Sequence, residues 1–117
     1  EFVVEPRHSL HNLGILRQRA DLARLREDYP AARRIYEDIL APGRVPEYGK
    51  DWWQAKYDHL FMAYMEGLGD FVFREISKLR ITHPELGGDE LLPRFLDLLG
   101  RAGGGKPPAK ALPDRVG

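Results

Sequence analysis

The sequence predicts an all-α domain built from two antiparallel αα-hairpins and a short C-terminal capping helix. Apolar residues recur at intervals of three and four along five stretches, which is the spacing of one face of a helix. Clusters of Pro, Gly and Asp separate these stretches and stop each helix. The chain has 117 residues, the length of a single domain, and 43% of them are hydrophobic, which is enough to bury a core.

The first hairpin is predicted over residues 9–41. Its first helix runs from about 9 to 27 and turns inward Leu10, Leu13, Leu16, Ala20 and Ala23. Asp28 and Pro30 then begin a second helix that ends near residue 41, because Asp caps free N–H groups and Pro suits a first turn. The apolar face of this second helix holds Ala32, Ile35, Tyr36, Ile39 and Leu40. The short turn between the two helices folds the second back on the first.

Residues 42–51 contain two Pro and two Gly and are predicted to be a linker. A second hairpin is predicted over residues 52–83, with Asp51 capping its first helix and Asp70 capping its second. Gly67 to Gly69 supplies the turn between them. The apolar residues are Trp52, Trp53, Ala55, Tyr57, Leu60, Phe61, Tyr64 and Met65 in the first helix, and Val72, Ile76 and Leu79 in the second.

The capping helix is predicted over residues 89–100, with Asp89 as its cap, Pro93 near its first turn and Gly100 at its end. Its apolar residues are Leu91, Leu92, Phe95, Leu98 and Leu99. Residues 101–117 are rich in Gly and Pro and carry four basic residues against one Asp, which predicts a flexible basic tail.

The two hairpins align with each other as an internal repeat. Ala32, Tyr36 and Ile39 fall over Val72, Ile76 and Leu79 at an offset of about 40 residues. These residues resemble the tetratricopeptide-repeat family, whose second helix carries a small residue followed by an aromatic one. The other matching positions are Tyr57, Leu60 and Tyr64 as bulky first-helix residues, Gly69-Asp70 as the turn and Pro84 as the closing proline.

The resemblance covers about residues 10–99 and is closest to the degenerate C-terminal repeats of larger bacterial repeat proteins. It implies a fragment of a right-handed α-solenoid. The chain departs from the family at Val72, which replaces a small residue, and in the linker, which lengthens the usual repeat of ~34 residues. Two repeats are fewer than the ~three that a solenoid normally needs, so we expect the chain to continue an upstream array, pair with itself or lean on its final helix.

Composition and motifs exclude several classes of function. The 18 basic residues balance the 18 acidic ones, so no overall field draws the chain to nucleic acid, and no apolar run is long enough to insert into a membrane. There is no Cys, no nucleophile elbow, no phosphate-binding loop and no set of metal ligands around His8 and His11. The sequence therefore predicts a protein that is not an enzyme and that has no metal and no cofactor.

The family resemblance implies a protein-interaction or scaffold module whose first helices line a groove for a peptide or helix of a partner. The groove positions carried over by the resemblance are Arg17, Asp21 and Arg24 in the first repeat and Asp58, Met62 and Glu66 in the second. Adjacent Trp52 and Trp53 point about 100° apart on a helix, so one of them is a candidate exposed anchor. Two alternatives remain open: a homodimer formed through these aromatic residues, or a helical accessory domain of a larger enzyme.

Overall fold

A computed structural model describes the backbone of residues 6–103 and the side chains of residues 13–103. These residues form five α-helices and no strand, which confirms the predicted all-α class. The helices are α1 (Pro6–Leu25), α2 (Tyr29–Leu40), α3 (Lys50–Met65), α4 (Gly69–Thr82) and α5 (Leu92–Ala102).

α1 and α3 end in the same way, each followed by three residues and then the next helix. The N–H of Asp28 donates to the carbonyl of Ala23 at 2.8 Å, and the N–H of Leu68 donates to the carbonyl of Ala63 at 3.0 Å. A left-handed residue precedes each donor: Glu27 has φ 59° and Gly67 has φ 90°. This is the Schellman arrangement, which satisfies the last carbonyls of a helix. The two turns lie about 40 residues apart, the offset found in the sequence.

The predicted cap at Asp28 is confirmed, because its side chain accepts a hydrogen bond from the N–H of Ala31 at 3.2 Å. The predicted caps at Asp51 and Asp70 are wrong. Both helices begin earlier, with Gly49 and Leu68 as N-caps, so these two carboxylates lie inside the first turn. There their negative charges interact favourably with the positive end of the helix dipole, but they make no capping hydrogen bond.

The remaining differences concern the ends of α1 and α5. α1 begins at Pro6, three residues before the predicted start, and ends at Leu25. α5 begins at Leu92, so Asp89 is not its cap, and Pro93 lies in its first turn as predicted. The helix continues past Gly100 to Ala102, which is fully buried, so the boundary with the tail is two residues later than predicted. Residues 104–117 of the predicted tail lie outside the described residues.

α3 is the central helix of the domain and packs against α2, α4 and α5. Apolar residues therefore occur all around it rather than along one stripe, as expected of a helix covered on several sides. Its buried residues are Trp52, Trp53, Ala55, His59, Leu60, Met62, Ala63 and Tyr64. α2 packs against α3 more extensively than α4 does, so the contact between the two helix pairs is larger than the contact within the second pair.

Candidate functional site

Charged residues link α1 to α3 and occupy several of the groove positions that the sequence suggested. Nη2 of Arg17 donates to Oδ1 of Asp51 at 3.4 Å, and Nη1 of Arg24 lies 3.9 Å from Oδ1 of Asp58. Arg24 also donates to the hydroxyl of Tyr36 at 3.3 Å. Arg24 and Asp58 therefore face each other, and each is already partly neutralised by the other.

Burial shapes the chemistry of Asp58. Loss of solvent raises the pKa of this carboxyl above its usual value, and the amide of Gln54 together with the charge of Arg24 opposes that rise. Nε2 of Gln54 donates to both carboxylate oxygens, at 3.2 and 3.3 Å. The carboxylate of Asp58 thus has a neutral hydrogen-bond donor in Gln54 and the cation of Arg24 beside it.

The remaining groove positions, Asp21, Met62 and Glu66, are not part of the Arg24–Asp58 pair. Asp21 is exposed on α1, whereas Met62 is 1% exposed and belongs to the core. Glu66 accepts two hydrogen bonds from Arg33 of α2, one of them from Nη2 at 3.3 Å. Met62 is therefore covered by the core, and Glu66 is paired with α2.

Both tryptophans are buried, at 9% exposure for Trp52 and 5% for Trp53. Trp52 packs on the ring of Tyr48 in the 41–49 segment, with ring centroids 4.7 Å apart. Trp53 packs edge-to-face on Phe95 of α5, with centroids 5.8 Å apart. The sequence argument that the two rings point apart holds, but each direction leads into the protein, so neither ring is an exposed anchor.

A cleft of about 710 Å³ opens where the N-terminal end of α3 meets the segment between α4 and α5. We call it the α3 cleft. Its lining residues are Arg17, Tyr48, Lys50, Asp51, Trp53, Gln54, Glu85, Gly87, Gly88, Asp89, Glu90 and Leu91. Its volume lies within the range of pockets that bind small molecules or peptide side chains, ~300–1,000 Å³. Two predicted partner-binding residues, Arg17 and Trp53, contribute to it.

The backbone between α4 and α5 shapes the floor of the α3 cleft. Gly87 has φ 89°, and a Cβ added there would lie 3.0 Å from Cβ of Trp53 and 3.1 Å from Cδ1 of Leu91. Glycine is therefore required for both conformation and space. Leu86, itself at φ 43°, is fully buried and anchors the segment in the core. The loop backbone consequently lies directly against the tryptophan.

Tyr48 and Trp53 are the aromatic residues that line the α3 cleft. Tyr48 has φ 64° and stacks on His83, with ring centroids 4.0 Å apart and planes 25° apart. Tyr48 is 43% exposed, whereas Trp53 is 5% exposed. Tyr48 is therefore the aromatic side chain of the cleft that an apolar or planar side chain could contact, and Trp53 lies beneath the lining.

Negative charge dominates the lining of the α3 cleft. Four carboxylates, from Asp51, Glu85, Asp89 and Glu90, outnumber the two cations of Arg17 and Lys50. Asp51 is paired with Arg17. The remaining three carboxylates are exposed and have no ion-pair partner among residues 13–103. The rim is therefore suited to positive charge.

His59 is buried on the α2 side of α3, away from the cleft. Its Nε2 lies 3.1 Å from Oε2 of Glu37, and its Nδ1 has no hydrogen-bond partner among the described residues. Burial lowers the pKa of the imidazole, and the hydrogen bond with Glu37 opposes that change. The ring is therefore held in its neutral form in the folded protein at neutral pH.

Two classes of site are not found in the part of the chain that the structure describes. No three His, Asp or Glu side chains there lie close enough together to hold a metal ion. None of the helices described is both long enough and apolar enough to cross a bilayer. The described residues that line the α3 cleft include no Ser, Thr or His.

Sequence reasoning missed most of the α3 cleft. Tyr48 was assigned to a linker, and residues 85–88 were placed between two predicted helices, with Asp89 as the cap and Leu91 as an apolar residue of the second. An aromatic residue in a segment rich in Pro and Gly is a signal that could have been used, as is the Gly87-Gly88 pair next to three carboxylates. Nothing in the helical periodicity shows that these two segments meet.

Comparison of the chain with models of known protein families, with curated proteins and with solved structures finds no match.

Proposed function

We propose that this domain is a non-catalytic interaction module that binds an extended, basic segment of a partner protein in the α3 cleft. The observation that carries the proposal is the cleft itself: about 710 Å³, with Tyr48 and Trp53 in its lining and an excess of carboxylates on its rim. An extended segment would place an apolar or planar side chain against Tyr48, which is 43% exposed. Lys or Arg side chains on either side would meet Glu85, Asp89 and Glu90.

Tetratricopeptide-like pairing of the helices is part of the same proposal. It is supported by the repeated Schellman turn, with Glu27 and Gly67 at equivalent positions. The proposed binding surface is displaced from the groove that the resemblance implied, since Met62 is buried and Glu66 pairs with Arg33. Arg17 is the first-helix residue that the two locations share.

The test begins with a displayed library of random dodecapeptides selected against the 117-residue chain. We expect the selected peptides to contain Lys or Arg flanking one apolar residue. Affinity for a selected peptide is then measured by fluorescence anisotropy with the Glu85→Lys/Glu90→Lys variant. We expect binding to weaken by about tenfold or more, because two favourable charges become repulsive.

The matched control is Glu27→Lys/Asp38→Lys, which changes the net charge by the same amount at two exposed positions outside the cleft. We expect this control to change affinity by no more than about twofold at physiological salt, because exposed charges beyond a Debye length of ~8 Å are screened. An equal loss in both variants would show non-specific attraction and would contradict the proposal. A library that yields no binder sensitive to Glu85 and Glu90 would contradict it as well.

A further inference from the structure

α1 carries a line of exposed apolar side chains on the face turned away from the domain. Ile15, Leu22 and Leu25 are 38%, 53% and 80% exposed. Together with Gln18 they are spaced by three, four and three residues, which places all four on one face of the helix. We call these four residues the α1 stripe. Scattered exposed leucines are ordinary, but a contiguous line of them on one helix indicates an interface.

The α1 stripe lies opposite the face that packs into the domain. Ala20 and Ala23, which are 0% and 8% exposed, face the core, where α1 packs against α2. A helix approaching the stripe would therefore meet α1 from the side opposite α2. The spacing of the stripe is that of the seam positions in a two-stranded coiled coil, where each helix contributes residues every three or four positions.

The charges beside the α1 stripe discriminate between possible pairings. Arg19 lies along one flank of α1, and Arg26, the residue after the last one of α1, continues that flank because its N–H still donates to the carbonyl of Leu22 at 3.1 Å. Asp21 lies along the other flank, and all three side chains are exposed. In a parallel pair of identical helices, the flanks of opposite kind face each other, which brings Asp21 near Arg26 of the partner subunit. In an antiparallel pair, like flanks face each other, so Arg would meet Arg and Asp would meet Asp.

We infer that two copies of this chain associate in parallel through the α1 stripe. Charge complementarity supports a second copy as the partner. A twofold axis parallel to the helix brings the flank with Arg19 and Arg26 in one copy next to the flank with Asp21 in the other. Gln18 places one polar side chain in the otherwise apolar seam. The surface is small compared with a typical interface of ~800 Å² per partner, so association is weak and depends on concentration. It is also separate from the α3 cleft, to which no stripe residue contributes.

The experiment is sedimentation equilibrium of the 117-residue chain over a concentration series from micromolar to millimolar. We expect a monomer–dimer equilibrium in the unmodified protein and a monomer throughout for Leu22→Glu. Leu96→Glu is the matched control, because Leu96 is also exposed but lies on α5. We expect this control to dimerise as the unmodified protein does. Circular dichroism of each variant verifies that the helices remain folded.

Charge exchange tests the parallel arrangement. We expect Arg26→Asp to weaken dimerisation about fivefold at low salt, because it faces Asp21 of the partner subunit, and Asp21→Arg/Arg26→Asp to restore it. Four results would each overturn the inference: a monomer at every concentration, a dimer unaffected by Leu22→Glu, a dimer strengthened by Arg26→Asp, or no recovery in the double variant. A dimer strengthened by Arg26→Asp would specifically indicate antiparallel helices.

Discussion

Burial of His59 makes the stability of the domain depend on pH. In the unfolded chain the imidazole takes up a proton as the pH falls through about 6.5, whereas burial lowers the pKa of His59 in the folded state. Between these two pKa values the unfolded state binds more protons. The free energy of unfolding is therefore highest above about pH 6.5 and decreases as the pH falls through that value.

We predict that His59→Leu removes much of this pH dependence. The test is urea unfolding at about pH 7.5 and about pH 5.5, on either side of the ordinary histidine pKa. The unmodified protein should lose stability between the two, and the variant should lose less. Taking the difference between variant and parent cancels the contribution of Asp58, whose raised pKa gives a slope of the opposite sign at lower pH.

Glu37→Gln is the control for the His59 prediction. Burial is the larger cause of the lowered pKa of His59, and the hydrogen bond with Glu37 acts in the opposite direction. Loss of the carboxylate charge should therefore leave the pH dependence in place and lower the pKa of His59 further. A parent protein equally stable at both pH values, or a His59→Leu variant with the full dependence of the parent, would contradict the assignment.

The equivalent turns after α1 and α3 carry different residues at the same left-handed position. Glu27 has a Cβ that disfavours φ 59°, whereas Gly67 adopts φ 90° without steric cost. We predict that Gly67→Ala lowers the free energy of unfolding by about 1 kcal/mol, because the alanine pays the steric cost of the left-handed conformation. Glu27→Gly should raise it by up to about 1 kcal/mol, because it relieves the same cost.

Chemical denaturation of both variants tests the equivalence of the two turns. Gly100→Ala is the control for the first, because Gly100 lies within α5 with nothing within 4 Å of an added Cβ. Alanine is a better helix former there, so this variant should be more stable by about 0.5–1 kcal/mol. The prediction requires that Gly67→Ala lowers the free energy of unfolding and that Gly100→Ala raises it. Destabilisation by Glu27→Gly would mean that the glutamate stabilises its turn in a way that the backbone does not show.

Helix ends show how far sequence reasoning reaches in this protein. The number and type of helices followed from apolar spacing and breaks, and Asp28 was correctly identified as a cap. Asp51 and Asp70 were wrongly predicted as caps. An Asp near the start of a helix is equally common in the first turn, where its charge is stabilised by the helix dipole, so the residue type alone does not distinguish the two positions. Whether an Asp is the N-cap or a first-turn residue depends on the backbone conformation at that position, which the sequence does not show.

The candidate site was less predictable than the helices. Arg17 and Trp53 contribute to the α3 cleft, but Met62 is core and Tyr48 was not considered. The missing information is tertiary. α3 packs against three helices, so its periodicity cannot indicate which face remains open, and the two segments that complete the cleft, residues 48–51 and 85–91, lie far apart in the sequence.

At the scale of the whole molecule, α5 closes the core around α3. Phe95 is fully buried, and its ring packs edge-to-face on Trp53 at 5.8 Å and on Tyr57 at 5.3 Å between centroids. Both aromatic partners belong to α3, and α3 in turn packs against α2. α5 is thus connected to α2 through α3, which packs against both helices.

This connection predicts that the described helices unfold as one cooperative unit. Phe95→Leu should cost about 1–2 kcal/mol through loss of ring contacts. In native-state hydrogen exchange the amides of α2, such as Tyr36 and Ile39, should lose the same free energy of protection as the amides of α5. The neighbouring variant Leu96→Ala, at an exposed position, should change protection by less than about 0.5 kcal/mol. Loss of protection confined to α4 and α5 would instead show that the C-terminal helix opens by itself, so that the α3 cleft can form and disappear while the first helix pair stays folded.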